Sequence, residues 1–207
     1  MTTTRWMLAA LGGGLVIVLC VYYLGPPGDK LSTALRATAR WSLLWFTLAT
    51  TGSALTTLFG SRFERLAQRG RDFGLSFAAA HLNHVALVAW YLVASREPHA
   101  FEPLMFFAVG LVWVYLLALL SLSGSLRSML SARWWRIIRT VGVEYIAFVF
   151  LSELASRAFG KGPANLLVYL PFLAVSVCGP LLRIAALIKR WRLAMEAEET
   201  LKPRHAA

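Results

Sequence analysis

Residues 104–122 read LMFFAVGLVWVYLLALLSL and contain no charged side chain. An α-helix of this length rises about 28 Å, close to the roughly 30 Å hydrocarbon thickness of a bilayer. Five further apolar blocks of similar length lie at 6–24, 41–59, 73–94, 137–155 and 166–188. We therefore predict an all-α integral membrane protein, with a six-transmembrane-helix bundle over residues 1–188 and a short charged tail over 189–207.

The composition agrees with a membrane bundle. Hydrophobic residues make up 58% of the chain and charged residues 15%, whereas soluble domains are nearer half apolar and a quarter charged. The net charge is +11, and the basic residues cluster at the ends of the apolar blocks. They are expected to meet lipid headgroups, so the predicted partner is the bilayer and not nucleic acid. Cys20 and Cys178 lie inside apolar blocks, too few for a disulfide framework.

The distribution of basic residues predicts the orientation. With six spans, fifteen of them lie on the side that holds both termini, and six lie on the other. Cytoplasmic loops carry the excess of lysine and arginine, so both termini are predicted in the cytoplasm of the cell (inner) membrane. The six on the other side are Lys30, Arg36, Arg40, Arg96, Arg157 and Lys161.

A few polar side chains interrupt the apolar blocks. Ionisable groups cost about 2.5–3.5 kcal/mol each at the centre of a bilayer, so each is a candidate functional residue. Counted from the predicted helix starts, His81, His84 and Glu144 lie at matching depth, which allows an imidazole–carboxylate pair between the third and fifth helices. Glu153 and Arg157 are four residues apart and could pair near the outer surface. The predicted buried cluster comprises His81, Asn83, His84, Arg139, Glu144 and Glu153.

Two short motifs resemble the ferric-reductase-like transmembrane domain, the membrane module of ferric reductases, NADPH oxidases and the haem-binding subunit of the methionine sulfoxide reductase system. RGRDFGL at 69–75 is similar to that family's basic entry to the third helix, and His84 stands where the family places a haem ligand. The serine-rich stretch 121–125 and WRIIR at 135–139 resemble the exit from the fourth helix and the entry to the fifth.

The chain departs from this family on the fifth helix. The family clamps haem b between histidines of the third and fifth helices, but the corresponding positions here are Arg139 and Ser152 or Glu153. Since the other two histidines are His99 and His205, a bis-histidine haem between these helices is excluded within one chain. The resemblance leaves two alternatives: a haem b whose iron is held by His84, with His81 beside it and another ligand or a dimer, or loss of the cofactor.

Three functions remain open. The first is an electron-transfer subunit, a membrane redox protein that needs a separate cytoplasmic or membrane electron donor. The second is a haem-free scaffold or accessory subunit, whose polar cluster binds a ligand or partner. The third, a small transporter, lacks paired Gly/Pro-interrupted segments in its two halves. In the first two cases the basic loop would dock the partner or lipid through Arg62, Arg65, Arg69 and Arg71.

Overall fold

The computed structural model describes residues 2–25, 27–94, 101–160 and 162–201; His99 and His205 lie outside these ranges. Within them the chain is helical, with a short 3-10 turn at Ser61–Phe63 between the second and third helices. The α-helices are α1 (Thr3–Leu24), α2 (Lys30–Phe59), α3 (Glu64–Gln68), α4 (Gly70–Ala94), α5 (Phe101–Leu122), α6 (Gly124–Ser128), α7 (Ala132–Phe159) and α8 (Pro163–Leu201).

Each of the six predicted apolar blocks lies within one of the long helices. Five of those helices, α1, α2, α4, α5 and α8, are long and apolar enough to cross a membrane. The chain is therefore an α-helical protein built for a membrane. The sixth block lies in α7, which is not among the five because it carries too many charged side chains, Glu144 and Glu153 among them.

Every long helix extends beyond its predicted block, α2 and α8 by the most. α2 begins at Lys30, eleven residues before the predicted block, because Asp29 caps it by accepting a 3.0 Å hydrogen bond from the Ser32 amide. α8 continues through Pro171 and Pro180 to Leu201. Residues 189–201 of the predicted tail are thus the last turns of a membrane-length helix.

Helix α2 lies at the centre of the bundle and packs against α1, α4 and α8, while α7 packs against α5 and α8. A cluster of three phenylalanine rings joins α2, α4 and α7. The ring centroids of Phe46 and Phe77 are 5.2 Å apart, those of Phe46 and Phe150 are 5.7 Å apart, and those of Phe77 and Phe150 are 6.1 Å apart. These residues, hereafter the phenylalanine cluster, set the register of the three helices.

The connection between α2 and α4 folds back onto α2. Gly60, with φ 87°, reverses the chain in a left-handed conformation that glycine adopts readily. The α3 helix then packs against Gly52 so closely that a methyl group there would lie 2.8 Å from the carbonyl carbon of Leu66 and from the amide nitrogen of Ala67. The basic loop is therefore held on the side of α2.

Candidate functional site

His84 contacts α2 through its Nδ1 atom. This nitrogen lies 3.2 Å from the Leu35 carbonyl oxygen and 3.2 Å from Thr38 Oγ1. The Thr38 hydroxyl donates its own hydrogen to the Ala34 carbonyl at 2.8 Å, so both neighbours of Nδ1 act as acceptors. A neutral His84 therefore carries its proton on Nδ1, which leaves the lone pair on Nε2.

His81 lies one turn earlier on α4 and packs among rings. Its imidazole centroid is 5.4 Å from that of His84, 5.5 Å from Phe77 and 6.5 Å from Phe150. The Nδ1 atom of His81 is buried and has no hydrogen-bond partner within the described ranges. The side of α4 that faces α7 is thus covered by aromatic side chains.

Glu153 and Arg157 form the ion pair that their spacing on α7 predicts, with the guanidinium donating to Glu153 Oε1. Both groups lie near His84. The buried Tyr169 of α8 lies beside Arg157. We call Thr38, His84, Glu153, Arg157 and Tyr169 the histidine cluster.

The predicted pair between the histidines and Glu144 is wrong. Phe150 packs beside Phe77, and Glu144 precedes Phe150 by six residues, whereas His84 follows Phe77 by seven. At about 1.5 Å per residue, Glu144 and His84 lie roughly 20 Å apart along the bundle, on opposite sides of the phenylalanine cluster. The prediction failed because it assumed that both helices start level. Phe77 is the eighth residue of α4, whereas Phe150 is the nineteenth of α7, so their packing offsets the starts of the two helices along the bundle.

Glu144 pairs with Arg183 of α8 instead. Arg183 Nε donates to Oε1 and Nη2 donates to Oε2, each at 2.8 Å. This is the side-on bidentate geometry that makes arginine–carboxylate pairs strong. The Glu144 side chain is 48% exposed and that of Arg183 is 18% exposed.

Two other predicted members of the cluster lie elsewhere. Arg139 is exposed on α7 and forms neither a hydrogen bond nor an ion pair in the part of the chain that the structure describes. Asn83 faces α1, where its amide donates to the Leu11 carbonyl at 2.9 Å. The predicted cluster therefore divides, and only His81, His84 and Glu153 come together.

The four arginines of the basic loop fall into two pairs. Arg69 lies 5.8 Å above the ring of Trp6, and Arg71 donates to the Ser121 carbonyl at 3.0 Å, so both tie the loop to the bundle. Arg62 and Arg65 are exposed, and their side chains contact no acid in the described ranges. Those two are the ones available to bind negative charge.

The residues around the histidines do not fit a haem that bridges α4 and α7. Such a haem needs an axial ligand from each helix, but α7 has no histidine and its Phe150 ring packs against Phe77 and His81. No group of three or more histidine, cysteine or acidic residues in the described ranges is arranged to hold a metal ion. Of the two histidines that the structure describes, His84 has the orientation of a ligand, since the Leu35 carbonyl fixes its Nδ1 proton.

No protein-family model, curated protein or solved structure matches the chain. The function of the site is therefore inferred from the geometry of its residues alone. Three of its members, Thr38, Tyr169 and Arg157, were not predicted as site residues. The spacing of Arg157 from Glu153 was a signal that sequence reasoning could have carried further, whereas nothing in the sequence marks Thr38 or Tyr169.

Proposed function

We propose that this protein is a haem-free accessory subunit of the membrane, and that its histidine cluster is where a ligand or a partner subunit binds. The observation that carries this proposal is the phenylalanine cluster. Phe77 and Phe150 pack directly against each other between α4 and α7, where a cofactor that joined these helices would lie. The polar groups that remain, His84, Glu153 and Arg157, are suited to hydrogen bonding and charge pairing.

A partner would relieve an energetic cost. Glu153 and Arg157 have side chains that are 37% and 45% exposed, within a helix proposed to cross the membrane. Charged groups left against lipid are expensive even when paired. A polar ligand or a partner helix that covers this face would lower that cost, which gives the cluster a reason to bind.

The proposed topology has six spans with both termini in the cytoplasm. The arginine excess supports the orientation, and ion pairing supports α7 as the sixth span. Each acid of its apolar block has a basic partner: Glu144 is paired with Arg183, and Glu153 with Arg157. Pairing lowers the cost of placing both acids in a spanning helix, so the charged side chains of α7 do not oblige it to stay outside the membrane.

Cysteine labelling in intact cells tests this topology. Met129 and Phe159 flank α7 and are both exposed, at 81% and 71%. In a Cys20→Ser, Cys178→Ser background, a membrane-impermeant maleimide should label Phe159→Cys from outside. Met129→Cys should react only after the membrane is permeabilised. Labelling of both positions from the same side would show that α7 does not cross.

A second candidate function is electron transfer through haem b, in the manner of the ferric-reductase-like family. It is favoured by the His84 tautomer, whose Nε2 lone pair is the form that ligates iron. A bound haem would supply one-electron chemistry, with His84 as one axial ligand and a separate protein as electron donor.

The reduced-minus-oxidised absorption spectrum separates the two functions. The protein should be expressed with haem precursor supplied and purified in detergent. A haem-free accessory subunit gives no b-type bands. Bands near one haem per chain that disappear in His84→Ala, but persist in Asn83→Ala, would establish the second candidate.

A further inference from the structure

A small cavity lies between α2, α7 and α8, away from the histidine cluster. Its volume is about 10 Å³, and a single buried water needs roughly 10–15 Å³. Phe46, Phe150 and Ala147 line it on the apolar side. Its polar lining consists of Thr47, Thr50, Ser176 and Arg183, hereafter the polar cavity.

Two polar atoms of the cavity lining are buried without a hydrogen-bond partner in the described ranges: Ser176 Oγ and Arg183 Nη1. Ser176 is only 6% exposed. Arg183 donates to Glu144 through Nε and Nη2, so the hydrogens on Nη1 remain available as donors. A buried cationic donor that stays unpaired is strongly unfavourable.

The cavity also offers acceptors. The Thr47 and Thr50 hydroxyls donate to the carbonyls of Leu43 and Phe46, each at 2.9 Å, so their oxygen lone pairs remain. Pro180 lines the same cavity. Because proline has no N–H, the carbonyl of Ser176, four residues earlier on α8, lacks its helical hydrogen bond.

The donors and acceptors around the polar cavity determine which molecule or ion can occupy it. It must accept a hydrogen bond from Arg183 Nη1 and donate to a hydroxyl or carbonyl oxygen. A halide ion accepts but cannot donate, and a metal cation would face the guanidinium charge. We propose that the polar cavity binds one ordered water molecule, which joins Arg183 of α8 to α2 and completes the hydrogen bonding of the Glu144–Arg183 pair.

Substitutions at Ser176 test the proposal through stability. Ser176→Ala leaves room for the water, whereas Ser176→Val fills the cavity and expels it. If the water is present, Ser176→Val leaves Arg183 Nη1 buried without a partner, and the folded-to-unfolded ratio of this variant should be about 5- to 30-fold below that of Ser176→Ala. If the cavity is dry, valine fills a void and is the more stable variant, which would overturn the proposal.

Isosteric threonine variants give a second measurement in case Ser176→Val does not fold. Thr47→Val removes an acceptor from the cavity, while Thr56→Val removes a hydroxyl that bonds the Gly52 carbonyl at 3.0 Å and does not line the cavity. Thr47→Val should lower the melting temperature more than Thr56→Val does. Equal effects, or a wild-type melting temperature that rises with chloride at constant ionic strength, would contradict a bound water; the latter would indicate an anion.

Discussion

Gly52 is the position at which α3 and α2 approach most closely, and Gly52→Ala is the sharpest test of that packing. The added methyl would lie 2.8 Å from the Leu66 carbonyl carbon, 2.8 Å from the Ala67 nitrogen and 2.9 Å from the Ala67 Cα. All three are backbone atoms, so relief requires movement of the whole α3 segment. Overpacking of this kind costs about 1–3 kcal/mol.

Gly52→Ala also stabilises the helix itself, because alanine in a helix interior is more favourable than glycine by about 0.5–1 kcal/mol. Gly74→Ala on α4 isolates that gain, since nothing lies within 4 Å of the added methyl. Gly74→Ala should therefore be neutral or stabilising, and Gly52→Ala should fall about 1–3 kcal/mol below it.

Two assays read out this difference. Thermal unfolding in detergent, followed by tryptophan fluorescence, measures the stability of each variant. Limited trypsin digestion measures the loop directly, since Arg62, Arg65 and Arg69 are cleavage sites and displacement of α3 would free the backbone around them for the protease. If Gly52→Ala matches Gly74→Ala in stability and in digestion rate, the close packing of α3 on α2 is incorrect.

Three further predictions concern contacts between elements. Tyr145→Phe removes the 3.0 Å hydrogen bond from the Tyr145 hydroxyl to the Phe106 carbonyl and should cost about 0.5–1.5 kcal/mol of unfolding free energy; an unchanged urea midpoint would argue against that bond. Gly14→Ala places a methyl against the Asn83 side-chain amide, so it should melt below Gly12→Ala, which meets nothing within 4 Å; equal melting temperatures would argue against the packing of Asn83 on Gly14. Arg62→Gln with Arg65→Gln should reduce the rise in melting temperature that phosphatidylglycerol produces over phosphatidylcholine, and an undiminished rise would exclude these two side chains as the lipid contacts.

The helical fold could be predicted from the sequence because uncharged stretches near twenty residues have few alternatives. The predicted start of α2 was wrong because charged residues lie inside the helix. Arg36 and Arg40 moved the predicted start of α2 to residue 41, yet Arg40 lies over the rings of Tyr169 and Phe172, 5.1 and 4.4 Å from their centroids. An arginine whose guanidinium lies over aromatic rings can remain within a membrane helix, because the rings attract its charge.

The site was predicted less well, because membership of a site depends on the register between helices. The sequence contains the local spacing of Glu153 and Arg157, and that pair forms. It does not contain the relative height of α4 and α7, which Phe77 and Phe150 set through their packing. Glu144 was therefore assigned to the histidines, whereas it pairs with Arg183.

The two ion pairs give α7 two different surroundings. Glu144–Arg183 joins α7 to α8 next to the polar cavity, while Glu153–Arg157 lies within α7 near His84. The first pair fastens helices together, since it links residues far apart in the chain. The second makes no interhelical ion pair. Both carboxylate oxygens of Glu144 accept from Arg183, whereas Oε2 of Glu153 accepts no hydrogen bond in the described ranges and is available to a ligand or partner.

Native mass spectrometry distinguishes the haem-free accessory role from electron transfer. The protein is expressed with haem precursor supplied and is released from detergent in the spectrometer. The haem-free accessory role predicts no species with the added mass of haem. It also predicts a bound ligand or partner that Glu153→Gln loses and that Arg139→Gln, altered at an exposed position of the same helix, retains. A species carrying one haem per chain in the wild type, absent from His84→Ala, would contradict the proposal and establish an electron-transfer protein.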